Sequence, residues 1–68
     1  MRNKFKRKEI VYFYNTSFPS LCNQIMEIDD VPDKSHNYYS CTFLHEYIRF
    51  AVKESEIHRQ KVGKSESY

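Results

Sequence analysis

At 68 residues the chain is one small domain, and a domain of that size buries only about 60% of the surface its unfolded form exposes. A hydrophobic content of 40% and an aromatic content of 16% exclude a wholly disordered chain. The net charge of +2 makes no general case for nucleic acid, and a single glycine, Gly63, excludes a phosphate-cradling loop and nucleotide-dependent catalysis with it.

Charge is unevenly placed. Residues 1–8 carry five basic groups (Arg2, Lys4, Lys6, Arg7, Lys8) and no acid. Residues 9–46 carry six acids against Lys34 alone, and residues 47–68 carry five basic groups and three acids. This pattern reads as a basic N-terminal arm over 1–8, one folded unit over 9–62 and a frayed tail over 63–68. The apolar run behind the leading basic residues, Ile10–Tyr14, is too short for a secretory leader. No stretch reaches membrane-spanning length. The expectation is a cytoplasmic protein with no membrane association, its Cys22 and Cys41 reduced and buried.

In chain order, EIVYFY (9–14) is rich in β-branched and aromatic residues and reads as a strand, with Val11 and Phe13 on one face and Ile10, Tyr12 and Tyr14 on the other. NTSFPS (15–20) has loop chemistry, with Phe18 tucking the loop onto the core. CNQIMEI (22–28) reads as a second strand and DDVPDKSHN (29–37) as a turn. YYSCTFL (38–44) alternates as a third strand, with Tyr39, Cys41 and Phe43 sharing a face. His45-Glu46 reads as a two-residue connection to a fourth strand, YIRFAV (47–52), with Ile48, Phe50 and Val52 on one side. A rival reading draws 43–62 as one helix, since Leu44, Ile48, Ala51, Ser55, His58 and Val62 fall at steps of three and four and Gly63 suits a C-cap. Against it, residues 43–52 are apolar on nearly every side. The favoured version is a strand to Val52 followed by a helical turn.

Four stretches, FKRKEIV (5–11), NQIMEI (23–28), YYSCTF (38–43) and FAVKESEI (50–57), together resemble small bacterial and phage domains of the SH3-like barrel type, the KOW and Tudor-like modules among them. Where those modules carry glycine, this chain has Lys8, and no Gly precedes the second strand. The resemblance implies a mainly β fold, a small antiparallel barrel of five short strands with a helical turn near 54–57. It further implies that Ile57 plugs the core, that Glu54 and Glu56 face solvent, and that no catalytic residue is shared.

Residues with chemical potential do not converge into a reaction. Glu54 and Glu56 are flanked by Lys53, His58 and Arg59 and lack the apolar pocket that acid–base work needs. Asp29, Asp30 and Asp33 with Asn37 match no calcium loop. Cys41-x₃-His45 is a zinc half-site with no second half. The expectation is therefore no catalysis, no metal and no cofactor. Binding is favoured instead: a protein partner on Tyr12, Tyr14, Tyr38 and Tyr47, because tyrosine pairs an apolar body with a polar tip. The alternative is nucleic acid on Arg2, Lys4, Lys6, Arg7 and Lys8 with the same tyrosines stacking bases. A Lys- and Asn-rich, Gly-poor composition is at home in phage or mobile-element genes, which points to a small factor that binds a host protein.

Overall fold

The computed structural model describes residues 3–62. Arg2 and the segment 63–68 read as a tail, with the Gly63 cap, lie outside the described residues. Among the described residues five strands form: β1 (Ile10–Phe13), β2 (Ile25–Asp30), β3 (Tyr39–Phe43), β4 (Ile48–Val52) and β5 (Ile57–His58). Single 3₁₀ turns at Pro19–Leu21 and Glu54–Glu56 interrupt them. All pair antiparallel in one sheet, ordered β4-β3-β2-β1-β5.

Alternation sorts the strands onto two faces. One face carries Val11, Phe13, Met26, Ile28, Tyr39, Cys41, Phe43 and Val52, each at most 4% exposed, and Phe5 and Ile57 join them in a single cluster. Each such side chain contributes roughly 1.5–3 kcal/mol of transfer free energy. The other face, with Tyr12, Ile25, Glu27, Thr42 and Arg49, stays partly wet. Phe13, Phe43 and Phe50 make successive edge-to-face contacts at centroid separations of 5.7 and 5.2 Å. Phe18 leans on Phe13 at 6.3 Å but is 49% exposed, so it covers the loop's root without plugging the core.

The sheet is open, which corrects the SH3-like barrel expectation. β4 pairs only with β3 and β5 only with β1, and no ladder joins β4 to β5 among the described residues. The physical reason is the length of β5. Its two residues pair with β1 as Tyr12↔His58 and Phe13↔Ile57, and the Ile57 N–H, which faces away from β1, is taken by Glu54 O. Barrel closure needs a continuous ladder around the ring. Here the core is closed by side chains and by the N-terminal segment instead.

The 43–62 helix is also absent. Leu44–Tyr47 is a four-residue turn, in which the N–H groups of Glu46 and Tyr47 both donate to Phe43 O. Tyr47 takes φ 56°, which ends any helix before it starts. Ile48, Phe50 and Val52 then pair across from Phe43, Cys41 and Tyr39, giving the all-round apolar stretch two faces to occupy. The hairpin loop is therefore four residues, not the His45-Glu46 pair. β2 begins three residues later than expected because Asn23 turns at φ 63° and donates its N–H to Phe13 O at 2.6 Å. It also runs on through Asp29 and Asp30, with a register shift between Ile28 and Asp30 that bends the strand.

Candidate protein-binding edge

The basic segment lies against the fold. Phe5 is 1% exposed and packs edge-on to Tyr39 at 5.8 Å. The Arg59 guanidinium covers it at 4.6 Å, donating from Nε to Glu9 Oε2 (2.6 Å) and from Nη2 to Lys4 O (2.7 Å). Arg7 pairs with Asp30 at 2.9 Å. Lys4, Lys6 and Lys8 are exposed, the first with Nζ 5.5 Å from the centre of the Phe5 ring. The Lys6 N–H and the Arg59 guanidinium hold the Glu9 carboxyl below its usual range. Arg7, with the Val31 N–H, does the same for Asp30.

The four tyrosines are not brought to one surface. Tyr12 lies on β1 and Tyr14 just past its end, half-buried, Tyr14 edge-on to His58 at 6.5 Å. Tyr38 precedes β3 and stacks on His36 at 4.4 Å. Tyr47 stands 82% exposed on the hairpin beyond the other end of β3.

Glu54 is exposed, as expected, and Glu56 is half-buried, and both also accept hydrogen bonds from within the fold. Glu54 Oε2 accepts from Tyr39 Oη (2.9 Å) and Lys4 N–H (3.3 Å). Glu56 accepts from Lys53 N–H (2.8 Å) and from Asn15 Nδ2, so it caps the turn that delivers Ile57 to the core. The Tyr39 hydroxyl, buried and facing the Glu54 carboxylate, is held above its usual pKa although the Phe5 N–H opposes this. Burial, with the Asp29 charge nearby, pushes the Cys41 thiol up to about 12, so it stays protonated and inert. Among the described residues no three His, Cys, Asp or Glu side chains converge on a common point that would hold a metal ion, and no helix is long and apolar enough to cross a membrane.

The feature that strand propensity does not show is the edge of β4, free among the described residues. Leu44 N–H donates to Ile25 O at 3.2 Å, towards β2, whereas Phe43 O faces β4 and accepts from Tyr47. Alternation along β3 therefore turns the backbone groups of Tyr39, Cys41 and Phe43 towards β4, and those of Val52, Phe50 and Ile48 back towards β3. The N–H and C=O groups of Arg49 and Ala51 point outward. The next outward N–H, that of Lys53, is taken by Glu56. Beside this edge the core face runs out into solvent through Phe50, half-buried, and Ile48, 45% exposed, with Tyr47 next to it. A strand laid here finds unpaired backbone groups and an apolar shoulder together. Sequence reasoning recognised YIRFAV as a strand, but whether a strand is an edge depends on what pairs beyond it.

No family model matches the chain, and neither the curated proteins nor the solved structures contain a detectable relative.

Proposed function

We propose that the protein is a non-catalytic binding module that takes a protein partner as an added strand along β4. The observation that carries this reading is the outward pair Arg49 and Ala51, unpaired in backbone terms among the described residues and flanked by exposed Ile48 and Tyr47. Backbone bonds along such an edge supply affinity and the neighbouring side chains supply selectivity. Of the four tyrosines, Tyr47 alone stands beside this edge. The rival reading places nucleic acid on Lys4, Lys6 and Lys8, since Arg7 is already paired with Asp30.

The test is a capture experiment from bacterial lysate with the wild type and Ala51→Pro, beside a labelled oligonucleotide titrated at low and high salt. Proline removes one outward N–H and leaves the β3 ladder intact. Recovery by the wild type of a protein, an added untagged copy of this chain included, and its loss with Ala51→Pro supports the reading. Recovery of nucleic acid alone, with oligonucleotide affinity falling steeply with salt and lost when the three lysines become alanine, overturns it.

A further inference from the structure

We propose that the strand added to β4 is β4 of a second copy of this chain, running antiparallel about a twofold axis at Phe50; the inference rests on reading this edge as a protein interface. The register follows from which groups point outward. In an antiparallel pair, residues that exchange both backbone bonds alternate with residues that exchange none. The outward residues are Arg49 and Ala51, two apart and symmetric about Phe50. A twofold axis at Phe50 sets Arg49 opposite Ala51 of the second copy, and Ala51 opposite its Arg49. All four outward N–H groups of the two copies then find carbonyls, and none of these backbone groups is left over.

The side chains agree with the same register. On the core face Ile48 meets Val52 of the second copy on each side, and the two Phe50 rings meet on the axis as a non-hydrogen-bonded pair, where side chains come closest. The exposed flank of Ile48 and the half-buried Phe50 are thereby covered. On the other face each Arg49 faces an alanine, so no like charges stand directly opposite. Arg49 also has its own counter-ion, with Nε 3.5 Å from Asp29 Oδ2.

The two edges of the sheet differ in a way that fits this occupant. Sheet edges are commonly blunted by shortness, proline, bulges or charge. β5 is two residues long. β4 is five residues, IRFAV, with no proline, no register shift and one charge, itself neutralised. Because the contact is isologous, it closes at a dimer and does not propagate.

The experiment is sedimentation equilibrium over a wide concentration range, with amide exchange of the wild type at its low and high ends. The expected result is a reversible shift from the 8.3 kDa monomer to twice that mass. Protection should rise with concentration at the Arg49 and Ala51 amides and not at Phe50, whose N–H faces β3 in either state. Ala51→Lys puts like charges opposite each other twice and is expected to weaken the dimer by roughly tenfold. Adding Arg49→Glu should restore it. A wild type that stays monomeric at the highest concentration overturns the self-pairing, while the protein-binding reading stands or falls on its own capture test. A dimer whose Arg49 and Ala51 amides gain no protection, or an assembly growing past two, overturns it equally. The wild-type exchange result holds even where a variant fails to fold.

Discussion

Ile57 shows how one side chain sets the role of its neighbours. It is 1% exposed and follows a turn whose carboxylates are committed to Lys53, Asn15, Tyr39 and Lys4. Glu54 and Glu56 thus hold the turn that positions the plug. Ile57→Ala is expected to cost about 2–5 kcal/mol, the range for a buried aliphatic truncated in a poorly collapsible site, measured by urea denaturation. A cost within error of zero would show the plug to be dispensable. Cys41 gives a second prediction at this scale. In the unfolded chain its thiol ionises near the ordinary 9.0, whereas in the fold burial holds it to about 12. The sign is fixed by which state loses the proton first. Below 9.0 the thiol contributes nothing to the pH dependence, and as pH rises towards about 12 only the unfolded state ionises, so stability falls. The slope is ~1.4 kcal/mol per pH unit. Tyr39 acts in the same direction at higher pH. Cys41→Ala should lower stability at neutral pH through the cavity it leaves, yet flatten the decline above pH 9.0. An unchanged alkaline slope in denaturation series would assign the decline to other groups.

The elements are joined at backbone positions where other residues do what glycine does more easily. Lys8, Asn23 and Tyr47 have φ of 74°, 63° and 56°. Asn tolerates this region well, whereas Lys and Tyr pay roughly 1 kcal/mol for it. At Lys8 the conformation is held by its N–H to Ile28 O at 2.7 Å, just before β1 begins. Lys8→Gly should therefore raise stability, by up to about 1 kcal/mol after the extra freedom of the unfolded glycine is subtracted. In a domain this small that is a rise of about 4–8 °C in Tm per kcal/mol. A fall in Tm would mean that the Lys8 side chain contributes more than its backbone costs. These same positions explain what could be read in advance. The alternation of Val11 and Phe13, and of Tyr39, Cys41 and Phe43, is a period-two pattern that survives any tertiary context, and those strands lie where the pattern puts them. The start of β2 and the Leu44–Tyr47 turn were not legible, because a left-handed Asn23 or Tyr47 leaves no mark as plain as a glycine.

At the scale of the whole molecule, four of the five described strands were legible in the residues, and β5 and the way the sheet closes were not. Closure hangs on the two-residue length of β5, which neither propensity nor periodicity reports, and the resemblance to a barrel supplied an answer that the open order β4-β3-β2-β1-β5 corrects. The free edge of β4 follows from the same fact, so the candidate site was hidden for the reason the fold was. What closes the core on the β5 side is the N-terminal segment. Phe5, a single ring within a run of lysines and arginines, gave no periodic signal, yet it is 1% exposed between Tyr39 and Arg59. Its backbone N–H donates to the Tyr39 hydroxyl at 3.3 Å, which in turn donates to Glu54. The segment, the start of β3 and the 3₁₀ turn are thereby tied at one point. Phe5→Ala removes both the ring and the surface that Arg59 covers, at a cost of about 3–5 kcal/mol. Domain stabilities start near 5 kcal/mol, and a chain this short sits at the low end of burial, so the variant is expected to be largely unfolded. Lys4→Ala, Lys6→Ala and their double variant, which remove exposed charges and, for Lys4, its contact over the Phe5 ring, should unfold within about 1 kcal/mol of the wild type. The measurement is urea denaturation followed by near-ultraviolet circular dichroism. A Phe5→Ala protein as stable as the lysine variants would mean that the sheet holds its own core and that the basic segment is free to serve a ligand.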